Sequence, residues 1–194
     1  MYHGILPSME LHPAYTEKLT HVLSLGTMTG ITVLVILILY IGLTLYHKKS
    51  TLVTEMLSRY VLEIGFFASL FGMVMSLFYS QILHFAPCDL CWFQRVFLYP
   101  LIFIFGLAWW RKERNVLPYT LLLSVVGLAI ALYHHMLQIG FDLMKPCSSA
   151  PFAVDCAKPD FMEFGFVTFP LMSAVLFAFL ALSIITALYF SKRK

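Results

Sequence analysis

Five long apolar stretches limit what this chain can fold into more than any other feature of its sequence. A hydrocarbon core about 30 Å thick is crossed by roughly 20 helical residues, since every backbone polar group must be paired within the segment. The stretches that reach about this length are Val22–Tyr46, Tyr60–Leu83, Trp92–Trp110, Val116–Ile139 and Phe169–Phe190. The sequence therefore predicts an all-α integral membrane protein that crosses the lipid bilayer at these stretches and has no separate soluble domain.

Composition excludes the main soluble alternatives. Of the 194 residues, 60% are hydrophobic and 12% are charged, against roughly 45–50% and about 25% in soluble proteins. Thirteen basic and ten acidic residues would leave most of a soluble protein's surface apolar. The apolar content also excludes intrinsic disorder, and a net charge of +3 without a basic stripe excludes nucleic-acid binding.

The first apolar stretch is expected to be retained as a membrane helix. A cleaved signal peptide has a basic segment before a short apolar core of about 7–15 residues. Residues 1–21 instead contain Glu10, Glu17 and Lys18, and the apolar stretch that follows is too long for a signal peptide.

Basic residues predict the direction in which the helices cross, because short loops rich in Lys and Arg stay in the cytoplasm. Nine of the 13 basic residues lie in the first and third connections and at the end of the sequence. They are Lys48, Lys49, Arg59, Arg111, Lys112, Arg114, Lys192, Arg193 and Lys194. We therefore expect a multi-pass membrane protein with the N-terminus outside and the C-terminus in the cytoplasm.

All four cysteines fall in the two loops predicted to face outward: Cys88 and Cys91 in the first, Cys147 and Cys156 in the second. The outer face of a bacterial inner membrane is oxidising, so paired cysteines there indicate disulfides. One interpretation is that both disulfides are purely structural, and it suits Cys147 and Cys156 better than Cys88 and Cys91. A C-x-x-C disulfide closes too small a ring to stabilise much through loop entropy, whereas the motif is a recurrent redox unit.

A zinc site built from the four cysteines is disfavoured. Zinc sites of this kind normally have a second short-spaced pair, but eight residues separate Cys147 from Cys156. The sequence therefore predicts no metal.

The C-x-x-C is expected at the start of a helix, with a cation beside it. Pro87 precedes the motif and the apolar run begins at Trp92, so helix N–H groups and the helix dipole would stabilise a thiolate at Cys91. Arg95 follows Cys91 by four residues and shares its helix face. At that depth, Arg95 either extends to the membrane interface or holds a thiolate or a polar ligand oxygen.

His134 and Gln138 lie four residues apart near the outer end of the fourth apolar stretch, so they face the same way. They are either a hydrogen-bonded packing pair or part of the site. His135 points about 100° away and is expected at the membrane boundary.

Together these residues resemble the bacterial disulfide bond formation protein B (DsbB) family, most closely its BdbC-like branch. The matching segments follow the family's order over roughly residues 60–190. They are Pro87–Arg95 (PCDLCWFQR), Tyr99-Pro100, His134-x-x-x-Gln138, Lys145-Pro146-Cys147 and Gly165–Pro170 (GFVTFP). The resemblance implies a four-helix transmembrane core over residues 60–194. Residues 1–59 would add an extracytoplasmic segment, one extra N-terminal transmembrane helix and a cytoplasmic loop.

The resemblance further implies a membrane thiol oxidase of the bacterial cytoplasmic (inner) membrane that supports protein disulfide bond formation. A soluble thioredoxin-fold thiol oxidase, DsbA-like, would pass electrons to a Cys147–Cys156 disulfide. Cys156 would then attack Cys88 and release the Cys91 thiolate, which would reduce a membrane quinone, either ubiquinone or menaquinone. Arg95, His134 and Gln138 would bind that quinone.

Two features depart from the family pattern. The stretch Val22–Tyr46 lies outside the four-helix core, so the resemblance assigns it no role. The separation of Cys147 and Cys156 is much shorter than in the enterobacterial branch, which bears on how the partner docks more than on the redox chemistry.

Three other functions remain alternatives. Vitamin K epoxide reductase-like enzymes also couple loop cysteines to a quinone, but their loop pair precedes the C-x-x-C along the chain. A non-enzymatic membrane scaffold would carry two structural disulfides that resist mild reduction. A metal-binding module would need reduced thiols and further ligands, of which His84 alone lies near the first loop.

Overall fold

The computed structural model describes residues 13–47, 51–141 and 155–191. These residues form six α-helices and one short π-helical segment, and they include no β-strand. The elements are α1 (Pro13–Tyr46), α2 (Leu52–Arg59), α3 (Val61–Leu77), the π segment (Phe78–Ile82), α4 (Asp89–Arg111), α5 (Leu117–Gln138) and α6 (Phe169–Ser191). Five of the described helices are long and apolar enough to cross a membrane, so the predicted multi-pass, all-α architecture is confirmed.

Helices α3 to α6 pack as a four-helix bundle. Helix α4 lies against α3 and α5, while α6 packs along α5 and also reaches α3. Fully buried side chains fill the interior, including Leu101 and Phe105 of α4 and Phe177 of α6. The outward faces carry large exposed apolar side chains such as Phe103 and Leu122, as expected where helices contact lipid.

Glycine permits the close approach of α5 and α6. A Cβ atom added at Gly127 would lie 2.5 Å from ring atoms of Phe177, well inside van der Waals contact. Small residues at helix crossings let membrane helices pack closely. Gly127 therefore sets how near Phe177 can come to the α5 backbone.

Helix α1 lies outside the four-helix bundle, against α6. It begins at Pro13, earlier than the apolar stretch predicted from Val22, because polar residues before that stretch continue the helix. The buried side chains form two groups, each spaced by three or four residues, and about four helical turns separate the groups, which keeps both on one packing face. They are Thr20, Ser24, Thr27, Ile41 and Thr44.

Helix α2 occupies part of the predicted cytoplasmic loop. Thr54 and Leu57 are buried, whereas Leu52 and Met56 are exposed, and the helix packs against α6. A short helix with exposed apolar side chains at one end of a bundle is typical of the membrane surface. Nearby, Arg114 Nη2 donates a hydrogen bond to the carbonyl oxygen of Arg59 at 3.0 Å, which joins the first and third connections.

Candidate active site

The C-x-x-C lies where α4 begins. Cys88 is the N-cap residue, with extended backbone, and Cys91 is the third helical residue. Their sulfur atoms are 3.4 Å apart, and both are free thiols. At this distance the two sulfurs can share one proton, and the open N–H groups of the first helical turn face the same region.

His134 of α5 lies between the C-x-x-C and the second cysteine loop. Its Nε2 is 3.6 Å from Cys88 Sγ and 3.2 Å from the carbonyl oxygen of Cys156. Its Nδ1 is 3.0 Å from Gln94 Nε2. Because an amide nitrogen only donates, Nδ1 accepts this hydrogen bond, which leaves the ring N–H on Nε2. That proton faces Cys88 and the Cys156 carbonyl.

Gln138 completes the surroundings of the His134 ring. Its Nε2 lies 3.3 Å from His134 Nε2, while its Oε1 is buried without a hydrogen-bond partner among the described residues. Two donors cannot bond each other. Rotation of the amide by 180° exchanges its nitrogen and oxygen, so that Oε1 can accept from the histidine N–H.

The electrostatics of this cluster favour a thiolate. A hydrogen bond from the Cys91 thiol is the main cause that lowers the pKa of Cys88 to about 4, and His134 contributes further while burial opposes. The sequence placed the thiolate at Cys91, and the structure favours Cys88 as the sulfur that carries the charge.

Nearby, burial and the Cys88 charge raise the pKa of the Asp160 carboxyl, whereas His134 and Lys158 oppose this shift.

Arg95 is a buried cation on the same helix. Its side chain is 8% exposed, Nη2 donates to the carbonyl oxygen of Ser76 at 3.2 Å, and the guanidinium carbon lies 5.1 Å from the ring centroid of Trp92. Among the described residues, no carboxylate lies within ion-pair distance of Arg95. A guanidinium has five N–H donors, so most of its hydrogen-bonding capacity is left for a ligand.

A cavity of about 620 Å³ opens beside Cys91 and Arg95. Its walls come from α1, from α3 with the π segment, from α4 and from α6. Polar side chains gather near the C-x-x-C, where Gln94 and Asp160 also line the wall, and most of the remaining lining is apolar. Ligand pockets commonly measure about 300–1,000 Å³, so the cavity suits a molecule with a small polar head and an apolar body.

Cys156 joins the C-x-x-C in one buried cluster. It is disulfide-bonded, 1% exposed, and packed with Cys88, Leu90 and Leu137. Cys147, its partner in the sequence-based hypothesis, lies outside the described residues. The structure therefore brings one cysteine of the second loop next to the C-x-x-C.

The described site residues separate into two neighbouring groups. Cys88, Cys156, His134 and Gln138 form the buried cysteine cluster, while Cys91 and Arg95 line the cavity. His134 and Gln138, which the resemblance assigned to quinone binding, are not among the described residues that line this cavity.

Two contacts of the site were not predicted from the sequence. Gln94 is 6% exposed and orients His134; its spacing of three residues from Cys91 was the available signal. His135, which was expected at the membrane boundary, is buried, and its Nδ1 lies 3.0 Å from Thr168 Oγ1.

Cys88, Cys91 and His134 also have the composition of a partial metal site. The sulfurs of Cys88 and Cys91 and a ring nitrogen of His134 all lie within 4.8 Å of one another. Cysteine and histidine are the ligands that Zn²⁺ prefers. These three described residues could therefore ligate zinc in the dithiol form, an arrangement that the cysteine spacing alone did not predict.

Comparison with known proteins supports the resemblance seen in the sequence. A family model described as "Disulfide bond formation protein DsbB" matches residues 58–187. The matched region contains the four-helix bundle and all four cysteines, whereas α1 and most of α2 precede it. No solved structure matches the chain.

Curated relatives carry related names. The chain is 45% identical over 113 residues to the SPbeta prophage-derived disulfide bond formation protein B of Bacillus subtilis, covering 58% of this chain and 75% of that protein. It is 37% identical over 111 residues to disulfide bond formation protein C of Bacillus subtilis, covering 56% and 78%. It is 32% identical over 140 residues to a probable disulfide formation protein of Coxiella burnetii, covering 71% and 94%.

Proposed function

Because the chain belongs to the disulfide bond formation protein DsbB family, we propose that it is a membrane thiol oxidase that makes disulfides at the expense of a quinone. Its dithiol substrate is a soluble thioredoxin-fold oxidase of the DsbA type, and its acceptor is ubiquinone or menaquinone. The observation that carries this proposal is the position of the C-x-x-C dithiol. It packs with Cys156 on one side and borders an apolar cavity on the other.

Electrons enter through the second loop. A thiolate of the partner attacks Cys147, breaks the Cys147–Cys156 bond and forms a mixed disulfide, which the partner's second thiolate resolves. The partner leaves as a disulfide, and two electrons remain on Cys147 and Cys156. Two protons leave the partner's thiols in this step.

The electrons then pass to the C-x-x-C. The Cys156 thiolate attacks Cys88 of a Cys88–Cys91 disulfide and releases Cys91, after which Cys147 attacks Cys156 and restores the loop disulfide. The shared buried cluster of Cys88 and Cys156 supports this order. His134 supports it as well, because its Nε2–H can stabilise the thiolate that leaves from Cys88.

The cavity's residues fit a quinone as the final acceptor. When bound, a quinone would supply the acceptor for the two electrons and two protons that Cys88 and Cys91 give up as their disulfide forms. Cys91 lines the cavity, and Cys88 Sγ, 3.4 Å away, is positioned to close that disulfide. The buried Arg95 guanidinium lacks a carboxylate among the described residues, so it can donate to a carbonyl oxygen and stabilise the negative charge that develops there.

The proposal is tested by quinone-coupled oxidation of a reduced thioredoxin-fold oxidase by the purified protein. Cys88→Ser and Cys147→Ser variants are measured beside the wild-type protein. We expect turnover that requires added quinone and is abolished by either substitution. If the wild-type protein shows no turnover and the reduced partner reduces neither disulfide, the disulfides are purely structural and the scaffold alternative is correct.

Arg95 provides a second, more specific prediction. Arg95→Ala removes donors from the cavity, so quinone use should weaken about tenfold to a hundredfold, since a hydrogen bond to a charged group contributes roughly 1.5–3 kcal/mol. Disulfide exchange with the partner should stay near the wild-type rate, because the contacts of Arg95 among the described residues are to Ser76 and Trp92 and none is to Cys156. Stopped-flow measurement of both half-reactions separates the two effects. Normal quinone kinetics in Arg95→Ala would remove this residue from the acceptor site.

A further inference from the structure

One face of α1 forms a wall of the acceptor cavity. Its lining residues are spaced by three or four, which places them on a single helix face; we call them the α1 wall. They are Leu23, Gly26, Thr27, Thr29, Gly30, Val33 and Leu34. This helix lies outside the region that matches the family model, so the family match assigns it no role.

Contacts with two other elements hold the outer part of α1 in place. Thr20 Oγ1 lies 3.3 Å from Tyr79 OH in the π segment. His21 Nδ1 lies 3.2 Å from Oε2 of Glu163, a residue that follows Cys156 and precedes α6 along the chain. Deeper in the membrane, a Cβ atom added at Gly30 would lie 3.3 Å from Val175 Cγ1 of α6. The α1 wall is therefore packed against the bundle as part of the cavity.

The cavity is longer than a quinone ring requires. With a rise of about 1.5 Å per helical residue, the wall from Leu23 to Leu34 extends about 16 Å along α1. The polar groups Cys91, Arg95 and Asp160 belong to α4 and the outer loop, whereas the deeper α1 and α6 positions Leu34 and Phe179 are apolar. A ring held at Arg95 leaves the deeper part for an apolar chain.

Resting on the quinone-dependent function proposed above, we infer that the α1 wall binds the isoprenoid chain of the quinone and so contributes to acceptor affinity and chain-length preference. Gly26 is central to this role because no atom lies within 4 Å of a Cβ added there. The absence of a side chain leaves space that the ligand can occupy. Because Gly26 lines the cavity, the side chain of a larger residue at position 26 would take up part of this space.

The test is an equilibrium titration of the full-length protein with two quinones that share a ring, one with an isoprenoid chain and one without. Binding is followed by quenching of tryptophan fluorescence, which does not depend on turnover. Gly26→Leu is compared with Gly42→Leu, a matched control on the same helix that also has nothing within 4 Å of an added Cβ and does not line the cavity.

We expect Gly26→Leu to weaken binding of the chain-bearing quinone about tenfold, the equivalent of roughly two lost methylene contacts. The chainless ring should bind nearly as it does to the wild-type protein, and Gly42→Leu should change neither affinity. Equal affinities of Gly26→Leu and wild-type protein for the chain-bearing quinone would overturn the inference.

A second measurement keeps the inference testable if Gly26→Leu is unstable. A quinone with a photoreactive group at the chain end is cross-linked to the wild-type protein, and labelled peptides are identified by mass spectrometry. Label in residues 23–34 is expected, and label only in α3 and α6 would contradict the role of α1. If the wild-type protein binds neither quinone, the proposed function itself fails, whereas wild-type binding without an α1 effect rejects only this inference.

Discussion

At the scale of single residues, His134 connects the two cysteine pairs. Its ring is fully buried, and Gln94 fixes its tautomer by donating to Nδ1, so Nε2 presents a proton toward Cys88. A hydrogen bond from an imidazole N–H in this position stabilises a thiolate. We therefore propose that His134 acts in thiol exchange, next to the cavity that Arg95 lines.

The pH dependence of Cys88 reactivity tests this assignment. The lowered pKa, about 4, means that the thiolate is present above that pH and is lost as the pH falls through it. His134→Ala removes one of the stabilising hydrogen bonds, so the pKa of Cys88 should rise and alkylation by iodoacetamide at pH 4 to 5 should fall several-fold.

The experiment uses reduced protein that carries Cys147→Ser and Cys156→Ser, with alkylation of Cys88 quantified by mass spectrometry. His135→Ala is the matched control, because His135 bonds Thr168 and lies on a different face of α5. An unchanged pH profile in His134→Ala would show that His134 does not stabilise the Cys88 thiolate.

At the scale of helices, the site depends on where elements begin and how closely they approach. Helix α4 starts at Asp89, which places Cys88 at the N-cap and Cys91 in the first turn. The π segment brings Tyr79 into T-shaped contact with Phe169, at 4.7 Å between ring centroids, and both residues line the cavity. Such π-helical turns occur frequently at functional sites.

Close approach of α5 and α6 makes the bundle sensitive to Gly127. In Gly127→Ala, the added Cβ would lie 2.5 Å from the Phe177 ring, so we expect a loss of about 1–3 kcal/mol of stability, typical of overpacking. Thermal unfolding of the detergent-solubilised protein measures this effect.

Gly42→Ala is the control for this prediction, because its added methyl group meets no atom within 4 Å and alanine favours helix more than glycine does. We expect the control to unfold at or slightly above the wild-type temperature. Equal unfolding temperatures for Gly127→Ala and Gly42→Ala would mean that the α5–α6 contact adapts to the extra atom.

At the scale of the whole molecule, one end of the bundle holds the cysteine cluster and the other holds the cationic connections. Arg114 reaches the Arg59 carbonyl at that second end, and α2 lies there against α6. This separation of chemistry from positive charge agrees with the proposed orientation, in which the cysteines face outward.

Labelling with a membrane-impermeant maleimide tests the orientation. In one variant Cys147 is the only remaining cysteine, and in the other all native cysteines are serine and Lys194→Cys is added. We expect the first variant to react in intact spheroplasts and the second only after lysis. The opposite pattern would invert the proposed topology.

The sequence by itself determined the membrane class, the approximate spans and the pairing of Cys91 with Arg95 on one helix face. These properties are local. Hydropathy is summed along one segment, and an i, i+4 relationship follows from helical geometry alone. The family match over residues 58–187 agrees with the motifs read in that region.

Only the tertiary structure decided which of these residues meet. Cys88 and His134 are 46 residues apart, and Gln94 and His134 are 40 apart, so their contacts depend on how α4 and α5 pack. The same holds for α1, whose sequence predicts a membrane span but not the surface against which it lies. Packing between helices brings the α1 wall, Cys91 and Arg95 around one cavity, because contact between distant segments is set by the shapes of all the helices together.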